Sequence, residues 1–418
     1  MRPPTRPTLL LHRDIALVWT SGLISMTGSL AMFVALPVAV FDTTDSVWAT
    51  AMTALAGIAP TALVGQVAGV VADWVDRRRL LVATNLSLAA LTCVYLALPD
   101  GQWWLFAALN LLVASVAQFA GPAEHALLGD LVPKARLGEG ASLNALNNNI
   151  ARLVGPALGG LMFAKLGFWA TVVLDAATFI MAAVLLWLVT SQNSRLIASR
   201  APTDRWVAAW LEGACRVWSH SQLRPIVALA ALLMLGEGAI SALIAPFTRE
   251  VLNGGAEVLG LMFTAQAVGG IAGAAWTARN ADRMPPLRLL GAGALASGLL
   301  MVVIFNYAFI YPQSWPAVVL TGLAGFPFAV VGAAQGYALQ IYAPPELRGR
   351  VYSLASGTLS LAQLAGIVLA GAAGERWGPI AINIDTAAYL TAGVAAFWLA
   401  HRPATDGPGP SVRSDHGQ

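Results

Sequence analysis

Long apolar runs recur along the whole chain, separated by short clusters of polar and charged residues. Each run is about 20 residues long, which is the length an α-helix needs to cross a hydrocarbon core roughly 30 Å thick. The apolar positions do not alternate, which excludes a membrane β-barrel. The pattern predicts an all-α integral membrane protein with twelve spanning helices, near residues 15–40, 47–72, 80–98, 103–128, 142–164, 168–190, 225–247, 256–278, 287–309, 316–340, 351–373 and 379–400.

The composition supports the same class of protein. Of the 418 residues, 57% are hydrophobic and 11% are charged, which is too apolar for an ordinary soluble domain. The two cysteines, Cys93 and Cys215, provide neither a disulfide framework nor a zinc site. We therefore expect no metal and no cofactor.

The basic residues set the expected topology. Most of the 24 lysines and arginines fall on alternate loops, starting with the amino-terminal segment. The positive-inside rule then places both termini and the long central connection in the cytoplasm. We expect a multi-pass protein of a bacterial cytoplasmic membrane. The net charge of +3 reflects these loops, and nucleic acid is not expected as a partner.

The second half of the chain repeats the first at an offset of 211 residues, which relates Pro133 to Pro344. An even number of helices per half preserves orientation, so the repeats are parallel. Other matched pairs are Ser142 with Ser353, Gly155 with Gly366, Gly160 with Gly371 and Gly167 with Gly378.

The repeat predicts two six-helix bundles, at residues 1–190 and 225–400. Residues 191–224 form the expected cytoplasmic linker, whose spacing of apolar residues predicts an amphipathic helix on the membrane surface. A tether between the bundles is favoured for this helix, with a docking site for a partner as the alternative. Residues 401–418 are expected to be a disordered tail.

One segment carries a specific resemblance. The run GQVAGVVADWVDRRRLL, residues 65–81, resembles the loop signature between the second and third helices of major facilitator superfamily transporters. The run LNALNNNIARLVGPALGG, residues 143–160, resembles the fifth-helix motif of exporters in that superfamily. The opening RDIALVWTSGLISMTGSL is similar to a bacterial efflux subgroup that includes macrolide and siderophore exporters. Trp74 and Asp76 depart from the usual arginine and glycine.

The resemblance implies secondary active export of a bulky amphiphilic small molecule, such as a drug, antibiotic or siderophore, by alternating access in a monomer. The chain has no phosphate-binding loop of the ATP-driven type, so a proton gradient is the favoured driving force. An importer of the same fold is one alternative. An intramembrane enzyme acting on a lipid or natural product is another, although common hydrolase motifs are absent.

The loop signature and the glycine face of helix five predict a gate. Asp73, with Arg77 or Arg78, would latch the end of helix two to the start of helix eleven near Arg350, where a helix dipole favours a carboxylate. The alternatives are topology anchoring for the arginines and simple close packing for the glycines. The predicted gating set is Gly65, Gly69, Asp73, Arg77, Arg78, Gly155, Pro156, Gly159, Gly160 and Arg350.

Charged residues inside helices are expensive and usually functional. Glu237, deep in helix seven, is the leading candidate for a proton-binding group, and Arg152 is similarly deep in helix five. Asp175 and Asp385 complete the predicted coupling set, although structural hydrogen bonding is the favoured role for these two.

Helices one, four, seven and ten are expected to line the substrate site, because they face the centre of the resembled fold. Aromatic, methionine and amide side chains there suit a partly apolar molecule, with helix packing as the alternative role for each. The candidates are Met26, Phe33, Gln118, Phe119, Glu237, Phe326, Gln335 and Tyr337.

Overall fold

The computed structural model describes residues 9–99, 101–190, 223–343 and 348–401, without the side chains of 63, 66, 73, 282, 348–350 and 353. The predicted linker 191–224 lies outside these ranges except for its last two residues, which begin a helix. The predicted tail 401–418 lies outside them except for its first residue.

The described residues of the first half form eight α-helices. They are α1 Arg13–Thr44, α2 Val47–Leu63, α3 Gly65–Trp74, α4 Arg77–Val94, α5 Trp103–Ala117, α6 Ala120–Leu131, α7 Leu137–Leu166 and α8 Phe168–Trp187.

The residues that the structure describes in the second half form six α-helices. They are α9 Leu223–Glu250, α10 Ala256–Asn280, α11 Pro286–Asn306, α12 Trp315–Tyr342, α13 Arg348–Trp377 and α14 Asn383–Ala400.

Within the described ranges, these segments make up twelve long helices, because α2 and α3 are two parts of one interrupted helix and α5 and α6 are two parts of another. Nine described stretches are long and apolar enough to cross a membrane. The helix α2 is shorter, α7 carries a polar run at 147–149, and α13 and α14 fall largely within a single stretch, Leu354–Ala400. The all-helical membrane fold predicted from the apolar runs is confirmed.

Two of these twelve helices are interrupted next to each other. One is broken at Val64, between α2 and α3, and the other at Gln118 and Phe119, between α5 and α6. The Gln118 amide Nε2 lies 3.4 Å from Thr61 Oγ1 and donates to the carbonyl of Ala114 at 3.3 Å. Gln118 therefore connects the two breaks. The sequence predicted uninterrupted helices at both places.

The two halves meet mainly along two helix pairs, α7 with α10 and α2 with α13, and α2 also packs against α9. Small residues allow this approach: a Cβ on Gly160 would lie 2.3 Å from the Ala256 carbonyl oxygen, and one on Gly260 equally close to that of Pro156. In a membrane, such close packing takes the place of the hydrophobic drive.

Close contact between the halves is concentrated towards one end of the molecule. Among the described residues, α13 packs closely against α2, whereas a Cβ on Gly69 of α3 would have no neighbour within 4 Å. We call the end where α1 and α9 finish the closed end, and the end where they begin the open end. The halves thus enclose a cleft that narrows towards the closed end.

Polar contacts also join the halves at the closed end. Arg249, at the end of α9, pairs with Asp42, near the end of α1, through an Nε–Oδ1 bond of 2.6 Å and a second bond to Oδ2. Glu375 of α13 accepts from the Ser46 hydroxyl and the Trp48 backbone amide at the start of α2, both at 2.8 Å. These residues were not predicted as a gate.

Candidate substrate cavity and its buried carboxylates

A cavity of about 340 Å³ lies between the halves, on the open-end side of the contacts that close the cleft. Its walls are mainly apolar, and the rings of Phe33 on α1 and Phe263 on α10 meet edge to face with centroids 5.6 Å apart. The lining residues are Ser29, Met32, Phe33, Leu36, Pro37, Thr53, Ala54, Gly57, Ile58, Leu88, Asn110, Val113, Ala114, Ala117, Asp175, Phe179, Glu237, Ile240, Ser241, Ile244, Leu259 and Phe263.

Glu237 forms part of the second half's wall of this cavity. Its carboxylate Oε1 accepts a hydrogen bond of 2.7 Å from the hydroxyl of Tyr389, a fully buried residue of α14. Glu237 is therefore held by a side chain of its own half while it contacts the cavity.

Asp385 lies on α14, the helix that also carries Tyr389, and is further from the cavity than Glu237. It is fully buried, and neither carboxylate oxygen has a hydrogen-bond partner among the described residues. A Cβ on Gly236 would lie 2.6 Å from Asp385 Oδ1, so glycine permits this approach of α9 to α14. Asp385 is close enough to Glu237 to interact with it electrostatically.

The first half repeats part of this arrangement. A Cβ on Gly28 of α1 would lie 2.7 Å from Oδ1 of Asp175 on α8, and Asp175 is 3% exposed. The residue after Gly28 is Ser29, whereas the residue after Gly236 is Glu237. At this position, therefore, only the second half has an acid in addition to its buried aspartate. Unlike Asp385, Asp175 is part of the cavity lining.

The structure thus brings three of the four predicted coupling residues to the cavity region. Arg152 is the exception, since it is exposed and is not among the lining residues. It precedes Pro156 by four positions and so shares its helix face, which is the face turned towards α10. Arg152 consequently lies on the cleft side of α7, nearer the open end.

Of the predicted substrate residues, Phe33 and Glu237 line this cavity. The others lie elsewhere: Met26 is earlier on α1, Gln118 and Phe119 form the break between α5 and α6, and Phe326 packs on Trp276 with ring centroids 5.8 Å apart. Gln335 and Tyr337 are further along α12.

Helices α2, α4, α8 and α10 contribute to the cavity although the sequence reasoning had not included them. One available signal was Asn110, a lone amide in the apolar run of α5. Its side chain donates to the Thr53 carbonyl of α2 at 2.9 Å, and both residues line the cavity.

The predicted glycine gate divides into two faces of α7. Gly155 and Gly159 pack on α1 of the same half, where a Cβ on Gly159 would lie 2.3 Å from the Ala31 carbonyl oxygen. Pro156 and Gly160 instead face α10 of the other half.

The two loop arginines contact their own half. Arg77 pairs with Asp130 at the end of α6, and Arg78 donates from Nε to the Leu186 carbonyl at 3.1 Å, at the end of α8. Gly65 adjoins Gln118, and Gly69 has open space around it. The side chains of Asp73 and Arg350, which would form the predicted latch, lie outside the described residues.

The sequence profile of one family, described as a transmembrane secretion effector family of the major facilitator superfamily, matches residues 8–411. The chain belongs to this family. It is 26% identical to the multidrug efflux pump Tap of Mycolicibacterium fortuitum, over 92% of this chain and 95% of that protein. It is 24% identical to macrolide efflux protein A of Streptococcus pyogenes, over 86% and 89% respectively.

Among solved structures, a bacterial homologue of the iron transporter ferroportin in an inward-facing state superposes with a TM-score of 0.72. The two chains are 17% identical, with 94% of this chain and 100% of the other covered. A peptide transporter bound to alafosfalin gives a TM-score of 0.70 at 16% identity, covering 92% of both chains. These likenesses show the fold.

Family membership confirms the prediction of a transporter rather than an intramembrane enzyme. As a multi-span member of a bacterial efflux family with a small-molecule substrate, the protein is placed in the cytoplasmic membrane.

Proposed function

We propose that this family member exports bulky amphiphilic compounds, in exchange for protons, by alternating access. The names of the relatives, a multidrug efflux pump and a macrolide efflux protein, support this class of substrate. The cavity agrees with it, because apolar walls with a few polar groups suit a drug-sized molecule.

The cleft corresponds to one state of the proposed alternating-access cycle. The positive-inside rule assigns the open end to the cytoplasm, so the described conformation would be the one that loads substrate from inside the cell. The same assignment places both termini in the cytoplasm. We further propose that residues 191–224 tether the two bundles and that the monomer is the working unit.

The surroundings of Glu237 are the observation that supports proton coupling. It is a carboxyl group that contacts the substrate cavity, accepts from Tyr389 and lies near a second buried acid, Asp385. Two neighbouring carboxylates in an apolar interior repel each other, which makes such a pair a suitable place to hold a proton. Substrate entry beside Glu237 would displace that proton, and substrate departure would allow it to return.

Accumulation of a panel of amphiphilic compounds, in cells that produce or lack the protein, tests the proposal. We expect lower accumulation of some compounds in producing cells, and loss of that difference with Glu237→Gln. Glu139→Gln is the matched control, since Glu139 contacts Arg136 at the start of α7, away from the cavity. Equal accumulation in both kinds of cell, or full export by Glu237→Gln, would overturn the proposal.

A further inference from the structure

The amino-terminal turn of α2 takes part of its cap from the other half of the molecule. Helix α2 begins at Val47, and the first amides of an α-helix have no partner within the helix. Ser46, the residue before it, accepts from the Ala49 amide at 3.2 Å. Glu375 Oε1 of α13 accepts from the Trp48 amide and from the Ser46 hydroxyl, both at 2.8 Å. Capping of α2 is therefore shared between a local residue and a residue of the second half.

Glycines of α13 allow Glu375 to reach this position. A Cβ on Gly371 would lie 2.7 Å from Ala51 Cβ, and one on Gly374 would lie 2.5 Å from Val47 Cγ1. Gly371 precedes Glu375 by four residues and so lies on the same face of α13. The first turn of α2 and the last turn of α13 therefore approach closely enough for a direct polar contact between the halves.

The helix start that corresponds to α2 in the repeat is capped differently. The offset of 211 residues relates Glu375 to Ala164 of α7, which has no carboxylate. Helix α10, the counterpart of α2, carries Glu257 in its own first turn, and this side chain accepts from the Gly255 amide at 3.0 Å. The first turn of α2 contains no acidic residue. Of these two helices, only α2 receives its acid from the other half.

The Glu375 contact favours the conformation in which this end of the molecule is closed. A carboxylate at a helix amino terminus interacts with the positive end of the helix dipole and forms charge-assisted hydrogen bonds with the free amides. Separation of the halves at the closed end would move Glu375 away from α2 and return the Trp48 amide to water. The Ser46 cap would stay, because Ser46 directly precedes α2.

We propose that Glu375 is a gating residue that caps α2 across the two halves when the closed end is shut and leaves it when that end opens. The order of the first turn of α2 is then tied to the transport cycle. This inference rests on the proposed alternating access and names a residue that sets its equilibrium. The Asp42–Arg249 pair is a separate contact, between α1 and α9.

Access to the cavity from the closed side tests the proposal. Ser241 lies in the cavity wall, so Ser241→Cys, with Cys93 and Cys215 replaced by serine, reports opening through its reaction with a membrane-impermeant maleimide added on that side. We expect Glu375→Ala to raise the labelling rate about two- to fivefold, the effect of removing a carboxylate from an exposed helix start. Glu375→Gln should raise it less, because its amide oxygen still accepts but carries no charge.

Arg376→Gln is the matched control for this labelling. It changes the charge of the neighbouring residue, whereas both contacts to α2 come from Glu375. We expect Arg376→Gln to be labelled at the rate of the parent protein.

Amide hydrogen exchange of the purified full-length proteins separates a cap from a general effect of charge. Loss of the cap should speed exchange in the first turn of α2, residues 47–50, about two- to fivefold in Glu375→Ala. The first turn of α10, residues 256–259, is the internal control because its acid, Glu257, belongs to its own helix. We expect unchanged exchange there.

Unchanged labelling in Glu375→Ala would overturn the inference, and so would faster labelling without faster exchange in the first turn of α2. If Glu375→Ala does not fold, unchanged labelling and exchange in Glu375→Gln overturn it instead. Both measurements are made without substrate, so they are independent of export. Cells that export none of the tested compounds would remove the proposed function, even where both measurements show the cap.

Discussion

At the residue scale, a glycine on the first helix of each half allows a buried aspartate on the sixth to approach it. Gly28 meets Asp175, and Gly236 meets Asp385. The sequence showed the two aspartates at nearly equivalent places, but not their glycine partners. Such contacts join residues far apart in the chain, so no local pattern reveals them.

Replacing Gly236 with alanine should therefore be costly. The new methyl group would lie 2.6 Å from Asp385 Oδ1 and 3.1 Å from Ala388 Cβ, and overpacking of this kind costs about 1–3 kcal/mol. We expect a lower thermal unfolding temperature for the detergent-solubilised protein and reduced export. Gly332→Ala is the control, because a Cβ there has no neighbour within 4 Å; equal unfolding temperatures would contradict the packing argument.

At the element scale, α7 has two glycine faces with different partners. The sequence predicted one small-residue face, because Gly155, Gly159 and Gly160 recur at short intervals in a helix. Which neighbour each glycine meets depends on the rotation of the helix about its axis, and that is set by tertiary packing. The breaks at Val64 and Gln118 were not predicted because both runs remain apolar on average. The available signals were Pro60 and Gly65 beside the first break and Pro122 just after the second.

The two faces predict different variants. Gly160→Leu should wedge α7 from α10 and open the closed end, because Gly160 lies against the backbone of Ala256. Gly159→Leu should instead disturb the contact with α1 inside the first half and lower stability. Labelling of Ser241→Cys, in the cavity wall, by a membrane-impermeant maleimide from the closed side measures this opening. Similar labelling in both variants would contradict the two-face assignment.

At the scale of the whole molecule, the halves are held at the closed end by packing and by polar contacts. The apolar runs and the repeat were enough to predict the helices and the fold, because the membrane imposes their length and apolarity. The cavity was harder to predict: its walls combine seven helices, and the charge pair described at its closed end joins two residues far apart in the chain, Asp42 and Arg249.

The Asp42–Arg249 pair should bias the transporter towards the described conformation. Its two side chains are 30% and 35% exposed, so a contribution of about 0.2–1 kcal/mol is expected. Asp42→Asn should raise labelling of Ser241→Cys from the closed side by up to about fivefold, and the exchange Asp42→Arg with Arg249→Asp should restore it. Unchanged labelling in Asp42→Asn would show that packing alone holds this end.

The central claim is that Glu237 couples substrate movement to protons, and reconstituted vesicles test it most directly. A compound exported by the cells is followed in two modes: accumulation driven by an imposed pH gradient, and exchange of labelled for unlabelled compound without a gradient. We predict that Glu237→Gln loses the driven accumulation and keeps the exchange, because the cavity remains while the proton site is gone. Gradient-driven accumulation by Glu237→Gln at the parent level would contradict the claim.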